Sequence, residues 1–246
     1  MAETVFSGAN DSHMNSGQQS TFSAARGNSS STAPIFSTTA TDYQFGVYNV
    51  KGGGRGSVNF SIVRSYFEFD LSSLSGTATS VDFKVYGDNL GSTSTNGSTA
   101  YLVEATALAG NANDRGNVFA SGTLLGSSFG SFTISTTLGY HTLTSNSDGL
   151  TAVNDVIGSG TLTVGLMGYY DYNNTSPNTT LTTNYNKFHI YYSEQAGGGG
   201  TGADPKLEIT LAAAGYGHEV ISVAAGSIGK VKSVATANIG KVNSVD

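Results

Sequence analysis

Four histidines, His13, His141, His189 and His218, are the side chains best suited to proton transfer or metal ligation, and they stand far apart in the chain. A catalytic zinc would be marked by two imidazoles at the H-x-x-x-H or H-E-x-x-H spacing, and neither occurs. His189 alternates between Phe188 and Ile190, so it reads as a surface imidazole on a strand. Glu68, Asp70 and Asp82, together with Arg64 and Lys84, are predicted to share the outer face of neighbouring strands. They admit a glycosidase-like carboxylate pair or cross-strand ion pairs, and the second is the commoner use of such residues. Asp171-Tyr172-Asn173-Asn174 and Asn111-Ala112-Asn113-Asp114 offer oxygen ligands for a structural calcium ion, without the spacing of a recognised loop. The runs Gly52–Gly54 and Gly197–Gly200 lack the strand-to-helix setting and the Lys-Ser/Thr pair of a phosphate cradle, and read as turns. With no Cys, the chain has no thiolate nucleophile, zinc ribbon, iron–sulfur cluster or disulfide. No catalytic residue, cofactor site or metal site is expected, and the chain does not read as an enzyme.

Sugar recognition uses flat aromatic platforms. Trp is absent, but Tyr140, Tyr169, Tyr170, Tyr172 and Tyr185 fall near loops and form the candidate ligand platform. Their other use is packing in a core or an interface.

What positions these residues is a set of alternating segments. In Val63–Leu71 the odd positions Val63, Phe67, Phe69 and Leu71 fall on one face, and Arg64, Tyr66, Glu68 and Asp70 on the other. The same period recurs in Val81–Tyr86, Leu162–Leu166, Phe188–Tyr192 and Leu207–Leu211. Weaker strands are predicted at Thr4–Ser7, Tyr43–Val50, Tyr101–Glu104, Gly122–Leu125, Ser131–Ser135 and His141–Leu143. About ten strands with one apolar face each predict an all-β fold, a jelly-roll-like β-sandwich. One segment, Ser147–Gly158, has helical spacing at Leu150, Val153, Val156 and Ile157, with Ser147 or Asp148 as cap and Gly158 as stop. It predicts one short helix over an end of the sandwich. The stretches 18–41, 51–56, 91–98, 171–187 and 196–202 are low in complexity and read as loops.

The 246 residues suit one large domain with an appendage. Glycine numbers 33 and only 11% of residues are charged, which fits many strands and turns. A net charge of −6 without a basic run argues against nucleic acid as a partner. The first residues carry neither a positive n-region nor an apolar h-region, so no secretory signal is expected. No apolar stretch is long enough for a membrane span.

The end of the chain differs from the rest. Val-x-Ser-Val occurs at Val220–Val223, Val231–Val234 and Val242–Val245, and Ile228-Gly229-Lys230-Val231 returns as Ile239-Gly240-Lys241-Val242, a period of 11 residues. Such a period also suits a right-handed helical coil, but a Gly in the unit and its β-branched residues favour short extended segments, with turns at Ala224–Ser227 and Ala235–Asn238. Ordering this tail costs about 1–2 kcal/mol per residue in backbone entropy alone, and it contains no aromatic residue after Tyr216 to offset that. Its apolar side must be covered, by its own sandwich or by other copies, and repetition favours other copies. The expected assembly interface is Val220, Val223, Ile228, Val231, Val234, Ile239, Val242 and Val245, with Lys230, Lys232 and Lys241 facing solvent or a partner's carboxylates.

Two resemblances add to this reading. Arg64-Ser65-Tyr66-Phe67-Glu68-Phe69-Asp70-Leu71-Ser72-Ser73-Leu74 followed by Ala78–Tyr86 resembles the signature stretch of DNRLRE-type, carbohydrate-binding-module-like jelly-roll domains, and Pro205–Leu211 is similar to their closing strand. The order of elements agrees over roughly residues 3–212. The tail, through Ile228–Ala237 and Ile239–Val245, resembles C-terminal repeats in structural proteins of environmental tailed bacteriophages. These resemblances imply a jelly-roll sandwich over 1–213 and an assembly tail over 214–246. The implied protein is a tail, fibre or capsid-surface component of a virion, with copies of itself and other virion proteins as partners. The first resemblance also admits a carbohydrate-binding or adhesive module for surface polysaccharide. A microbial extracellular filament would use the same physics, so the implied location is a virion or the extracellular space.

Overall fold

The computed structural model describes residues 1–8, 11–16, 18–27, 35–36, 43–51, 58–92, 98–105, 127–177, 186–191, 203–212, 230–231 and 234–235. In chain order the elements are β1 (Ala2–Phe6), β2 (Ser12–Asn15), α1 (Phe22–Gly27), β3 (Ile35–Phe36), β4 (Tyr43–Lys51), β5 (Val58–Asp70), β6 (Ala78–Ser92), β7 (Thr99–Ala105), β8 (Ser128–Thr133) and β9 (Gly139–Thr144). They continue as α2 (Ser147–Val156), β10 (Thr161–Gly168), α3 (Tyr169–Tyr172), β11 (Asn186–Ile190), β12 (Lys206–Leu211), β13 (Lys230–Val231) and β14 (Val234–Ala235).

The alternating segments become strands of an all-β sandwich, each layer built on one long strand. In the first layer β12 and then β11 run along one edge of β6, β9 lies on its other edge, and β1 lies outside β12. In the second layer β10 and then β4 run along one edge of β5, β2 and β3 lie on its other side, and β7 and β8 extend beyond β10. All these pairings are antiparallel. β4 belongs to both layers: its first residues pair with β11 (Phe45 opposite Phe188) and the rest with β5 (Gly46 opposite Val63).

The core lies between the layers. Phe67 and Phe69 of β5 meet Phe83 of β6 with ring centroids 5.8 Å apart in both cases, and Val63, Leu71, Val81, Val85, Leu207 and Ile209 close around them. Each such side chain, fully buried, contributes about 1.5–3 kcal/mol.

β5 departs from the one-sided pattern expected of it. Val63, Phe67, Phe69 and Leu71 face the main core as predicted, but Arg64 and Tyr66, assigned to the outer face, are also buried. α1 covers that face and makes a second small core in which Phe22 and Ala25 pack on Phe60, Ile62 and Tyr66, with Phe22 and Phe60 edge to face at 6.0 Å. α1 and β3 fall within the stretch 18–41, and α3 at the start of 171–187, both expected as loops, so the described residues hold three short helices where one was expected.

The predicted helix is α2, and Ala152 and Val153 bury its inner side. Its cap is Asn146, one residue ahead of Ser147 and two ahead of Asp148, the expected caps. The Asn146 Oδ1 accepts from the Asp148 and Gly149 N–H groups, while its Nδ2 donates to the Ser128 carbonyl on β8. That second bond ties the helix start to the sheet, which Ser147 or Asp148 as cap would not do. The expected strand Gly122–Leu125 lies outside the described residues. No helix among the described residues is long and apolar enough to cross a membrane.

Candidate functional site

The tyrosines of the candidate platform divide between the two layers. Tyr169, Tyr170 and Tyr172 stand together on α3, the single helical turn that follows β10. Tyr169 and Tyr170 meet edge to face at 5.4 Å, and Tyr172 stacks on Tyr101 of β7, centroids 3.9 Å apart and planes 6° from parallel. Asn173 Nδ2 reaches the Tyr101 hydroxyl at 3.4 Å and the Tyr169 carbonyl at 2.9 Å, closing the turn over the cluster. Tyr101 was not among the sequence candidates; its alternation within Thr99–Ala105 was the signal available.

So short a helix has no stability of its own. It is held by Asp171, which points inward. Arg64 of β5 binds it through Nε at 2.6 Å to Oδ2 and through Nη2 at 2.8 Å to Oδ1, and Arg26 of α1 adds Nε to Oδ1 at 3.1 Å. The Arg64 and Asp171 side chains are 3% and 1% exposed. Burial works against the guanidinium charge, and the Asp171 carboxylate more than offsets it, so Arg64 stays above its ordinary pKa. Burial also pushes the neighbouring Tyr66 phenol up to about 12, against the pull of Arg64. The carboxylate oxygens read as calcium ligands are therefore engaged by two guanidinium groups. Asn111–Asp114, the other candidate calcium segment, lies outside the described residues.

Tyr140 stands in the other layer, on β9. Its ring meets Tyr86 at 5.2 Å, its hydroxyl donates to the Asp204 carbonyl at 3.0 Å, and the Lys206 ammonium sits 4.8 Å above its face. Burial raises its pKa, with Asp204, Tyr86 and Glu208 adding to the effect. Tyr191 packs on the far side of Tyr86 at 5.3 Å. Tyr185 lies outside the described residues.

The expected carboxylate set does not form. Glu68 and Asp70 belong to β5 and Asp82 to β6, so they lie in different layers. Lys84 pairs with Glu208 at 2.6 Å instead of Asp82, and Asp82 accepts from Thr144 Oγ1. Hydrogen bonds from Lys84 and Lys206 hold Glu208 below the usual carboxylate range. Arg64, expected beside these acids, is inside with Asp171 because α1 and α3 cover its face of the sheet.

The histidines occupy separate places. His13 on β2 is buried, and desolvation lowers its pKa to about 4. His141 accepts from the Ser135 N–H at Nδ1, so its Nε2 carries the proton and donates to the Gly87 carbonyl at 3.0 Å. His189 is half-buried, its Nδ1 3.2 Å from Asp88 Oδ1, and is less open than the surface imidazole expected. His218 lies outside the described residues. Among the described residues no three His, Asp or Glu side chains gather as metal ligands would.

In the tail, Val231 and Val234 face each other across the antiparallel pair β13–β14, with Lys230 opposite Ala235. Extended structure is the form expected. Ala235, predicted to open a turn, lies instead in β14. Val220, Val223, Ile228, Ile239, Val242 and Val245 lie outside the described residues, as do Lys232 and Lys241. No family model matches the chain, and no curated protein matches its sequence.

Proposed function

We propose that the chain is a non-enzymatic structural protein of a bacteriophage particle, a tail, fibre or capsid-surface component, which associates with copies of itself through the edges of its sandwich and through its tail. The tail carries this reading. Its Val-x-Ser-Val unit recurs, and in the copy at 231–234 the two valines oppose each other in a pair of strands with no third strand among the described residues. A two-stranded hairpin is marginal in water and needs another surface to cover its apolar side. A repeated unit finds that surface in its own kind, along the chain and in neighbouring chains. Removing 214–246 is expected to abolish assembly and leave a folded sandwich, as read by size-exclusion chromatography and circular dichroism. An unchanged oligomer overturns the reading.

A second reading, a carbohydrate-binding or adhesive module, is favoured by the group Tyr101, Tyr169, Tyr170 and Tyr172, half-buried and pinned through Asp171. Titration with polysaccharides followed by tyrosine fluorescence separates the two. Saturable quenching that is lost in Tyr169→Ala and Tyr170→Ala supports the module. No response, together with rings, trimers or filaments in negative stain, supports the structural protein.

A further inference from the structure

Met1 and Leu211 exchange backbone hydrogen bonds in both directions, and the Ser7 N–H donates to the Pro205 carbonyl at 2.9 Å. In an antiparallel ladder the bonded positions alternate, so Glu3 and Val5 also turn their N–H and C=O toward β12. The N–H and C=O groups of Ala2, Thr4 and Phe6 then point the other way, where no strand among the described residues pairs with them. Side chains follow the same alternation: Ala2, Thr4 and Phe6 are exposed, and Glu3 and Val5 half-buried. Met1 at 71% and Phe6 at 44% exposure are two of the three exposed large hydrophobics among the described residues, and both flank this edge.

Open edges are usually blunted by charge, proline, bulges or brevity. β3 has two residues, and β8 carries a register shift beside Gly130 at φ 133°. β9 is tied at both ends to β8 and its continuation, the Asn146 N–H donating to the Phe129 carbonyl and the Ser135 N–H to His141 Nδ1. β1 has none of these devices: it is regular, without Pro or Lys, and its single charge, Glu3, is on the inward-turned set.

We infer that the free edge of β1 pairs with the same edge of a second copy of this chain, antiparallel and centred on Thr4. The inference rests on the self-association proposed above and names one of its surfaces. Centring on Thr4 sets Thr4 opposite its own copy and Ala2 opposite Phe6 of the other chain. All three outward positions then exchange both of their hydrogen bonds, and the large Phe6 ring meets the small Ala2 on the exposed face. Glu3 falls opposite Val5, so no like charges oppose. The contact is isologous and closes as a dimer.

Because the chain has no Cys, Thr4→Cys tests this directly. Two residues facing each other in a hydrogen-bonded pair have Cα atoms about 5.5 Å apart, within reach of a disulfide. Mild oxidation of full-length Thr4→Cys is expected to convert most of the chain to a covalent dimer on a non-reducing gel, with a yield that holds through a tenfold dilution over which the contact stays saturated, while Thr142→Cys on the β9 edge stays monomeric. Thr4→Pro removes the outward N–H and leaves every β1–β12 bond in place, so it is expected to halve the mass of the assembly in sedimentation without altering the circular dichroism. A Thr4→Cys chain that resists oxidation while the unmodified protein still sediments as an oligomer overturns the edge contact and leaves the tail reading standing. Equal cross-linking of Thr4→Cys and Thr142→Cys marks random collision and also overturns it. A protein that is monomeric at every concentration overturns both.

Discussion

Arg64 and Asp171, 107 residues apart in the chain, share two hydrogen bonds of 2.6 and 2.8 Å where both side chains are sealed from water. The pair fastens a single helical turn to the longest strand of its layer, and the tyrosines of that turn are placed by it.

The two sides of the pair are not equivalent, because the Asp171 carboxylate also holds Arg26. Asp171→Asn, which removes the carboxylate both guanidinium groups share, is expected to lose about 3–5 kcal/mol in urea unfolding, and Arg64→Met less, because Arg26 still pairs with Asp171. The double change to Met and Leu is expected to lose less than the sum, because the one guanidinium then left without the carboxylate, Arg26, is the more exposed of the two. In Asp171→Asn the near-ultraviolet tyrosine signal should also change, since α3 loses its anchor.

His13 predicts a particular dependence on pH. Burial lowers its folded pKa from 6.5 to about 4, so the folded state resists the proton that the unfolded state takes up. Above pH 6.5 neither state binds it and stability is unaffected. As the pH falls below 6.5 the unfolded chain gains the proton first, and stability drops until the folded pKa is reached. Between pH 7 and pH 4.5 the loss is about 2–3 kcal/mol. Urea midpoints of the protein and of His13→Gln at the two pH values check it: the variant should lose less over the same interval.

Gly87 sits in β6 where β9 and β11 approach from opposite edges, paired with Gly139 on one side and Ile190 on the other. A Cβ there would collide with the His189 carbonyl oxygen and crowd the Ile190 side chain. Backbone cannot yield as a side-chain tip can, so Gly87→Ala is expected to destabilise by about 3 kcal/mol, at the upper end of overpacking costs, in thermal or urea unfolding.

Asn146→Ala removes the cap of α2 and its tie to the Ser128 carbonyl. The expected loss is about 1–2 kcal/mol. Asn146→Asp keeps the acceptor for the helix N–H groups and should recover most of it, so the two variants separate capping from anchoring.

The strands with clean alternation were legible because each needs only its own residues to declare a buried face; Val63, Phe67, Phe69 and Leu71 do face the main core. The second face of β5 was not legible. Arg64 and Tyr66 look solvated by type, and only α1, within one stretch of low complexity, and α3, which runs into another, reveal that they are covered. Asp171 illustrates the same gap. Next to Asn173 and Asn174 it resembles a ligand for a cation, and its partners on β5 and α1 are too distant in sequence for spacing to disclose. The tyrosines of α3 were found by proximity along the chain, whereas Tyr101 joins them only through the pairing of β7 with β10. In the tail, residue type points to extended structure, and the ladder adds which residues oppose each other, Val231 with Val234 and Lys230 with Ala235.

The mutual bonds of Met1 and Leu211 bring the entry to the sandwich and the exit from it to one corner. Tension arriving along the tail therefore enters β12 at the end where its rungs with β1 begin, and meets them singly, as a zip opens. Pulling the two strands lengthwise past each other would instead have to shear all five pairs, Ala2 with Thr210 through Phe6 with Lys206, at once.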